Sequence, residues 1–119
     1  MHESLPNTID YIEMPSRDLA KTKKFFSALF SWSVVDYGPD YASFDDGRMT
    51  GGFFSSEKIA DRNAGAPLVV FYQPELEKTC AIVVDLGGEI TRDIFEFPGG
   101  RRFHFREPGG SEFAIWSDK

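Results

Sequence analysis

Hydrophobic and polar residues repeat along this chain at two periods. In Arg17–Phe30 the apolar residues Leu19, Phe26, Leu29 and Phe30 fall on one side of a helical repeat, with Lys21 and Lys24 opposite, which predicts an amphipathic helix. Ser16 is placed as its N-cap, and Asp18 in the first turn suits the positive end of the helix dipole. Leu76, Cys80, Val83 and Val84 form a similar stripe in Pro74–Leu86 and predict a second helix. Pro74 suits its first position, and Gly87-Gly88 stops it. The other period is two. Short β-branched and aromatic runs bounded by turn residues predict strands over Ile9–Met14, Ser33–Tyr37, Tyr41–Phe44, Arg48–Phe54, Leu68–Tyr72, Glu89–Ile94, Arg102–Arg106 and Glu112–Trp116.

The elements come in one order, twice. Each half reads strand, helix, strand, strand, strand. When Glu75 is laid under Asp18, Asp18-Leu19-Ala20-Lys21-Thr22 meets Glu75-Leu76-Glu77-Lys78-Thr79, and Leu29 meets Leu86. The polar segment 55–66, with Asn63-Ala64-Gly65, is the expected linker. The chain is therefore expected to form one domain over 1–119: a first βαβββ module at 8–54 and a second at 67–117. The fold class is α+β.

Composition narrows the function classes. Twelve Phe among 119 residues supply a core, so the chain is expected to fold. Nineteen acidic against thirteen basic residues give a net charge of -6, the wrong sign for a nucleic-acid binder, which needs a basic face. The lone Cys80 permits no intramolecular disulfide and reads as a small buried hydrophobe. The longest apolar run, Leu68–Tyr72, is too short for a membrane helix, and MHESLPNTID carries no signal-peptide pattern. A cytoplasmic location is expected.

The repeat resembles the vicinal oxygen chelate superfamily, which holds glyoxalase I, bleomycin-resistance proteins, fosfomycin-resistance enzymes and extradiol dioxygenases. The matching residues are Ile9-Asp10-Tyr11-Ile12-Glu13-Met14-Pro15 leading into Asp18-Leu19, then Phe25-Phe26, Phe30-Ser31-Trp32, Asp46-Gly47, and Gly51-Gly52-Phe53. Phe97-Pro98-Gly99-Gly100-Arg101-Arg102-Phe103-His104-Phe105 continues the match, and Arg106-Glu107-Pro108-Gly109-Gly110 resembles the family's D-P-x-G turn. The chain looks closest to short bacterial proteins related to lactoylglutathione lyase. The resemblance implies two curved mixed sheets around a central cleft. It also implies that metal-dependent relatives place His and carboxylate ligands on the first and last strands of each half. Those residue types hold a divalent cation while leaving positions open for substrate. Carried across by spacing, the positions fall on Tyr11, Leu68, Ala114 and, to within one residue, Gly51. None is a His or carboxylate, so no metal and no cofactor are expected.

Alternation along a strand indicates what lies beside those positions. With Tyr11, Leu68 and Ala114 facing a pocket, Ile9, Glu13, Val70, Tyr72, Glu112 and Trp116 face it too. Ile12, Met14, Val69, Phe71, Phe113 and Ile115, all apolar, then face the helices. The expected ligand-binding set is thus Tyr11, Glu13, Leu68, Val70, Tyr72, Glu112, Ala114 and Trp116. Glu13, a carboxylate on a mostly apolar strand, is the best candidate for acid–base work. Glu112 follows a turn, where exposure is common, and a Glu13–Glu112 pair could hold a cation. His104 has no motif partner and reads as structural, and His2 lies in the N-terminal tail. Arg101 and Arg102 after Gly99-Gly100 either grip an anion or are simply solvated.

Three functions remain open from sequence. One is a metal-independent protein that binds or sequesters an unknown small molecule, as the bleomycin-resistance branch does. Another is a glyoxalase-related lyase or isomerase working through Glu13, Tyr11 or Tyr72, or through a rebuilt metal site. The last is an assembly module with a filled pocket. The resemblance implies a homodimer, and no nucleic-acid or membrane partner is expected.

Overall fold

The computed structural model describes residues 3–119, so His2 lies outside the described residues. The first module consists of β1 (Tyr11–Ser16), α1 (Leu19–Phe30), β2 (Ser33–Asp36), β3 (Tyr41–Asp45) and β4 (Thr50–Ser55). The second consists of β5 (Val69–Tyr72), α2 (Leu76–Asp85), β6 (Glu89–Phe97), β7 (Gly100–Arg106) and β8 (Glu112–Ser117). Each forms one four-stranded mixed sheet of the same order, β1-β4-β3-β2 and β5-β8-β7-β6. The first strand of each module runs parallel to its last, with Glu13 opposite Gly52 and Val70 opposite Ala114. The expected α+β architecture of two βαβββ modules is present. No helix among the described residues is long and apolar enough to cross a membrane.

Local chemistry moves some boundaries. β1 runs on to Ser16, so Ser16 does not cap α1. Asp18 does, its side chain accepting from the Lys21 backbone N–H. The inward stripe of α2 is Leu76, Thr79 and Val83, so Val84 points outward and is 52% exposed, and Cys80 is only half-buried at the flank. The stop at Gly87-Gly88 forms as expected. Gly87 sits at φ +95°, and the Gly88 and Gly87 N–H groups close back on the Val83 and Val84 carbonyls. The linker contains a short 3-10 turn, Arg62–Ala64, and buries Ala60.

The core is aromatic and joins the two sheets through α1. The Phe26 ring lies 5.5 Å from Phe53 on β4, 5.2 Å from Phe113 on β8 and 5.9 Å from Phe71 on β5. Neighbouring strands in one sheet are about 4.8 Å apart, so side-by-side sheets would separate β4 and β8 too far for one ring to touch both. The two sheets instead turn the same kind of face toward α1. Trp32 repeats the pattern, stacking on Phe44 of β3 at 4.3 Å and meeting Phe71 of β5 at 5.6 Å. Each sheet therefore has an inner face against this core and an outer face directed away from it. Between the modules lies a cleft of about 700 Å³, lined by Trp32, Asp46 and Arg48 from the first and by Val70, Tyr72 and Trp116 from the second.

A polar seam makes the second link between modules. Glu107, 2% exposed, accepts from the Thr22 hydroxyl on α1 at 2.7 Å and from the Gly109 N–H at 2.6 Å. The Ser16 hydroxyl lies 2.7 Å from that of Thr22 and accepts from the Asp18 N–H. The Arg17 N–H donates to the Gly109 carbonyl, and the Ser111 hydroxyl to the Pro15 carbonyl. Burial raises the Glu107 carboxyl above its ordinary value of 4.5 against the opposing pull of these donors, and its Oε2 lacks a partner.

Two outcomes are expected. Phe26→Ala removes the ring that bridges both sheets and should cost about 3–5 kcal/mol in urea unfolding. Glu107 binds its proton more tightly folded than unfolded, so its contribution to stability falls as pH rises from 4.5 through the raised value. Glu107→Gln cannot titrate. The unfolding free energy of wild type minus that of the variant should decrease across this window, and a constant difference would contradict the assignment.

Candidate functional site

On the outer face of the first sheet, Tyr11 and Glu13 from β1 meet Tyr41 from β3 across β4. The Tyr41 hydroxyl donates to Glu13 Oε2 at 2.8 Å and lies 2.5 Å from the Tyr11 hydroxyl. Since the Tyr41 proton goes to Glu13, Tyr11 donates to Tyr41, giving a relay that ends on a carboxylate. Burial and the bond it donates to Glu13 drive the Tyr41 hydroxyl well above the usual phenol range. Gly52 makes the arrangement possible, because a Cβ there would strike the Tyr41 hydroxyl and lie 2.8 Å from that of Tyr11. This fixes the uncertain last-strand position of the first module. Gly52 is on the outer face, whereas a Cβ on Gly51 would meet the Phe44 ring and the Ile12 carbonyl inside the core.

The outer face of the second sheet is a different surface. Val70 and Tyr72 come from β5, Glu112, Ala114 and Trp116 from β8, and Arg102 and His104 from β7. The register sets Arg102 opposite Trp116 and His104 opposite Ala114. Irregular pairing of β6 with β7, shifting on either side of Arg92, lets Arg92 and Phe95 lie over the same area. Phe95 packs edge-on against His104 at 5.6 Å, and the Arg92 guanidinium sits 3.5 Å above the Phe95 ring. At the other end, Tyr72 packs 5.1 Å from Trp116 and donates to Asp118 Oδ1 at 2.6 Å.

Glu112 is buried rather than exposed beside its turn, because the linker folds over it. Its Oε1 accepts from the Arg62 N–H at 3.1 Å, and its Oε2 from the Thr91 hydroxyl at 3.0 Å. His104 Nδ1 lies 3.9 Å from Glu112 Oε2, and Nε2 has no partner. Burial lowers the His104 pKa, Arg102 lowers it further, and Glu112 pulls the other way. The imidazole is therefore held neutral near pH 7 between the Glu112 carboxylate and the Arg102 guanidinium.

The structure thus divides the expected site. Val70, Tyr72, Glu112, Ala114 and Trp116 share one outer face, Tyr11 and Glu13 occupy the other, and Leu68 lies just before β5. At the four positions implied by family resemblance, Gly52, Leu68 and Ala114 offer no side-chain donor and Tyr11 a single phenol. These residues do not fit a divalent cation. Among the described residues no three His, Cys, Asp or Glu side chains converge. Arg101 and Arg102 separate, with Arg101 forked onto Glu77 of α2 and Arg102 directed outward. That pairing holds the Glu77 carboxyl at about 2.

Two features were not singled out from sequence. Tyr41 was legible, since alternation in Tyr41–Phe44 sets it opposite in sense to Ala42 and Phe44. Arg92 was not, because it reaches the face through irregular strand pairing that no period encodes.

No curated protein matches the sequence. Solved structures of similar shape include a glyoxalase/bleomycin resistance protein/dioxygenase family enzyme from Burkholderia phytofirmans PsJN. It has a TM-score of 0.77 and 16% identity, with 93% of this chain and 100% of that chain covered. A fosfomycin resistance protein from Listeria monocytogenes, solved with Mn(II) and sulfate, has a TM-score of 0.77 and 16% identity, covering 95% and 91%. A lactoylglutathione lyase from Agrobacterium tumefaciens has a TM-score of 0.70 and 17% identity, covering 96% of each chain. At these identities the likeness shows the fold alone. A family profile matches residues 8–115, and with the paired βαβββ modules already described, the chain belongs to the Glyoxalase/Bleomycin resistance protein/Dioxygenase superfamily.

Proposed function

We propose that this chain is a metal-independent binding protein for a small organic molecule, sequestering its ligand as bleomycin-resistance proteins do, in the cytoplasm. The observation that carries the reading is a cavity of about 360 Å³ on the outer face of the second sheet, lined by Val70, Phe97, Pro98, Gly99, Arg102 and Trp116. That size and an apolar wall broken by one charged group are typical of small-molecule sites. Its neighbour Ala114 occupies a position where metal-dependent relatives need a ligand atom.

The working form is a homodimer in which the outer face of the first sheet closes over the outer face of the second sheet of another copy. Exposed apolar side chains on both faces support this, Tyr11 (42%) and Phe54 (37%) on one and Val70 (40%) and Tyr72 (46%) on the other.

Sedimentation equilibrium should give twice the chain mass, and Phe54→Arg should shift the protein toward monomer. Metal analysis of untagged protein should give no stoichiometric cation. Trp116→Ala should weaken binding of any ligand recovered from a compound screen at least tenfold, and a stoichiometric metal whose loss abolishes binding would refute the reading.

A second reading, proton transfer on a bound carbonyl compound by a lyase or isomerase, is favoured by the Tyr11–Tyr41–Glu13 relay. In the proposed dimer it would face the ligand cavity of the other copy. If turnover of a carbonyl substrate is found, Glu13→Gln should lower kcat at least a hundredfold with little change in KM. An unchanged kcat would remove Glu13 from the chemistry.

A further inference from the structure

The chain carries more acids than bases, nineteen to thirteen, so its cations have carboxylates to spare. Five of the thirteen, Lys21, Lys23, Lys78, Arg101 and Arg106, lie within ion-pair distance of a carboxylate among the described residues. Arg92 and Arg102 are among the eight that do not. Among the described residues neither pairs with a carboxylate or donates a hydrogen bond, although both lie on one outer face. Their guanidinium groups rest on aromatic rings instead. Arg92 sits above Phe95, and Arg102 is 5.3 Å from Phe95 and 5.5 Å from Phe97.

Two buried donor sites in this area also lack partners, Arg102 Nε and His104 Nε2, the latter on a side chain only 3% exposed. Buried polar groups nearly always have partners, so an unpaired cluster of this kind calls for an acceptor from outside the chain. Arg102 lines the 360 Å³ cavity, whose remaining walls include Trp116, Phe97 and Val70. The guanidinium fork matches a carboxylate geometrically, and the indole and phenyl rings match a flat apolar body.

Resting on the binding function proposed above, we propose that the ligand is an organic carboxylate with a flat apolar body. Its carboxylate is gripped by Arg102 with Arg92 adding charge, and its body lies against Trp116, Phe97 and Val70. Burial first, and then the Arg102 charge, lower the His104 pKa. Held neutral, His104 contributes a hydrogen bond in place of a further charge.

The test is calorimetric titration of the full-length protein with 2-naphthoate and with its neutral counterpart 2-naphthamide. Wild type should bind the acid at least tenfold more tightly than the amide. Arg102→Gln should bring the acid down to the amide's affinity, Arg102→Lys should restore part of the difference, and Arg92→Gln should lower acid binding by a smaller factor. Thermal melts of each variant establish that it is folded. Equal binding of acid and amide by wild type, or unchanged acid binding in a folded Arg102→Gln, would overturn the carboxylate assignment and leave the binding face standing. No binding of either compound by wild type would overturn both.

Discussion

A single ring holds this structure to its form. Phe26 touches β4 of one sheet and β5 and β8 of the other, so α1 acts as a wedge shared by two modules that repeat one another in sequence. A module with its own helix could bury that helix against its own sheet. Here the aromatic side of α1 is too large for one sheet to cover, and the second sheet completes the burial. The inner faces are committed to this contact, which leaves the outer faces for anything the protein recognises.

The division has an electrostatic side. The first outer face presents phenols and carboxylates connected in a relay. The second presents guanidinium groups, a neutral imidazole and apolar walls. A duplicated module would begin with two equivalent faces, and the residues at corresponding positions, Glu13 and Val70, or Gly52 and Ala114, show how far they have parted. Gly52 leaves room for hydroxyls to meet across the sheet, while Ala114 provides a smooth floor beside Trp116. Neither side chain carries an atom that can ligate a metal.

Most of the fold was legible in the sequence. The helical stripe ending in Phe26, Leu29 and Phe30 and the Glu107-Pro108-Gly109-Gly110 turn gave the order of elements, and strand alternation correctly separated Ile12, Met14, Phe71 and Phe113 from Tyr11, Glu13, Val70 and Trp116. Within a module, face is a local property of period two. The way the modules face each other is not, because it depends on which rings Phe26 reaches once folded. That is why Tyr11 and Glu13 were grouped with Val70 and Trp116. Glu112 was misread for a related reason. Its burial comes from Arg62 and Thr91, distant in sequence. Val84 differed from expectation because α2 turns Thr79 inward, where its hydroxyl is satisfied by the Glu75 carbonyl.

The seam at Glu107 also has a consequence for the order of events during synthesis. Thr22 and Ser16 are made well before the turn that satisfies them, residues 107–111, which follows Thr22 by about 85 residues. Phe71 and Phe113, which complete the aromatic cover of α1, also lie downstream. Until they arrive the first module exposes apolar surface, a form prone to association with other nascent chains. The hairpin carrying residues 107–111 then latches a structure begun in the first module.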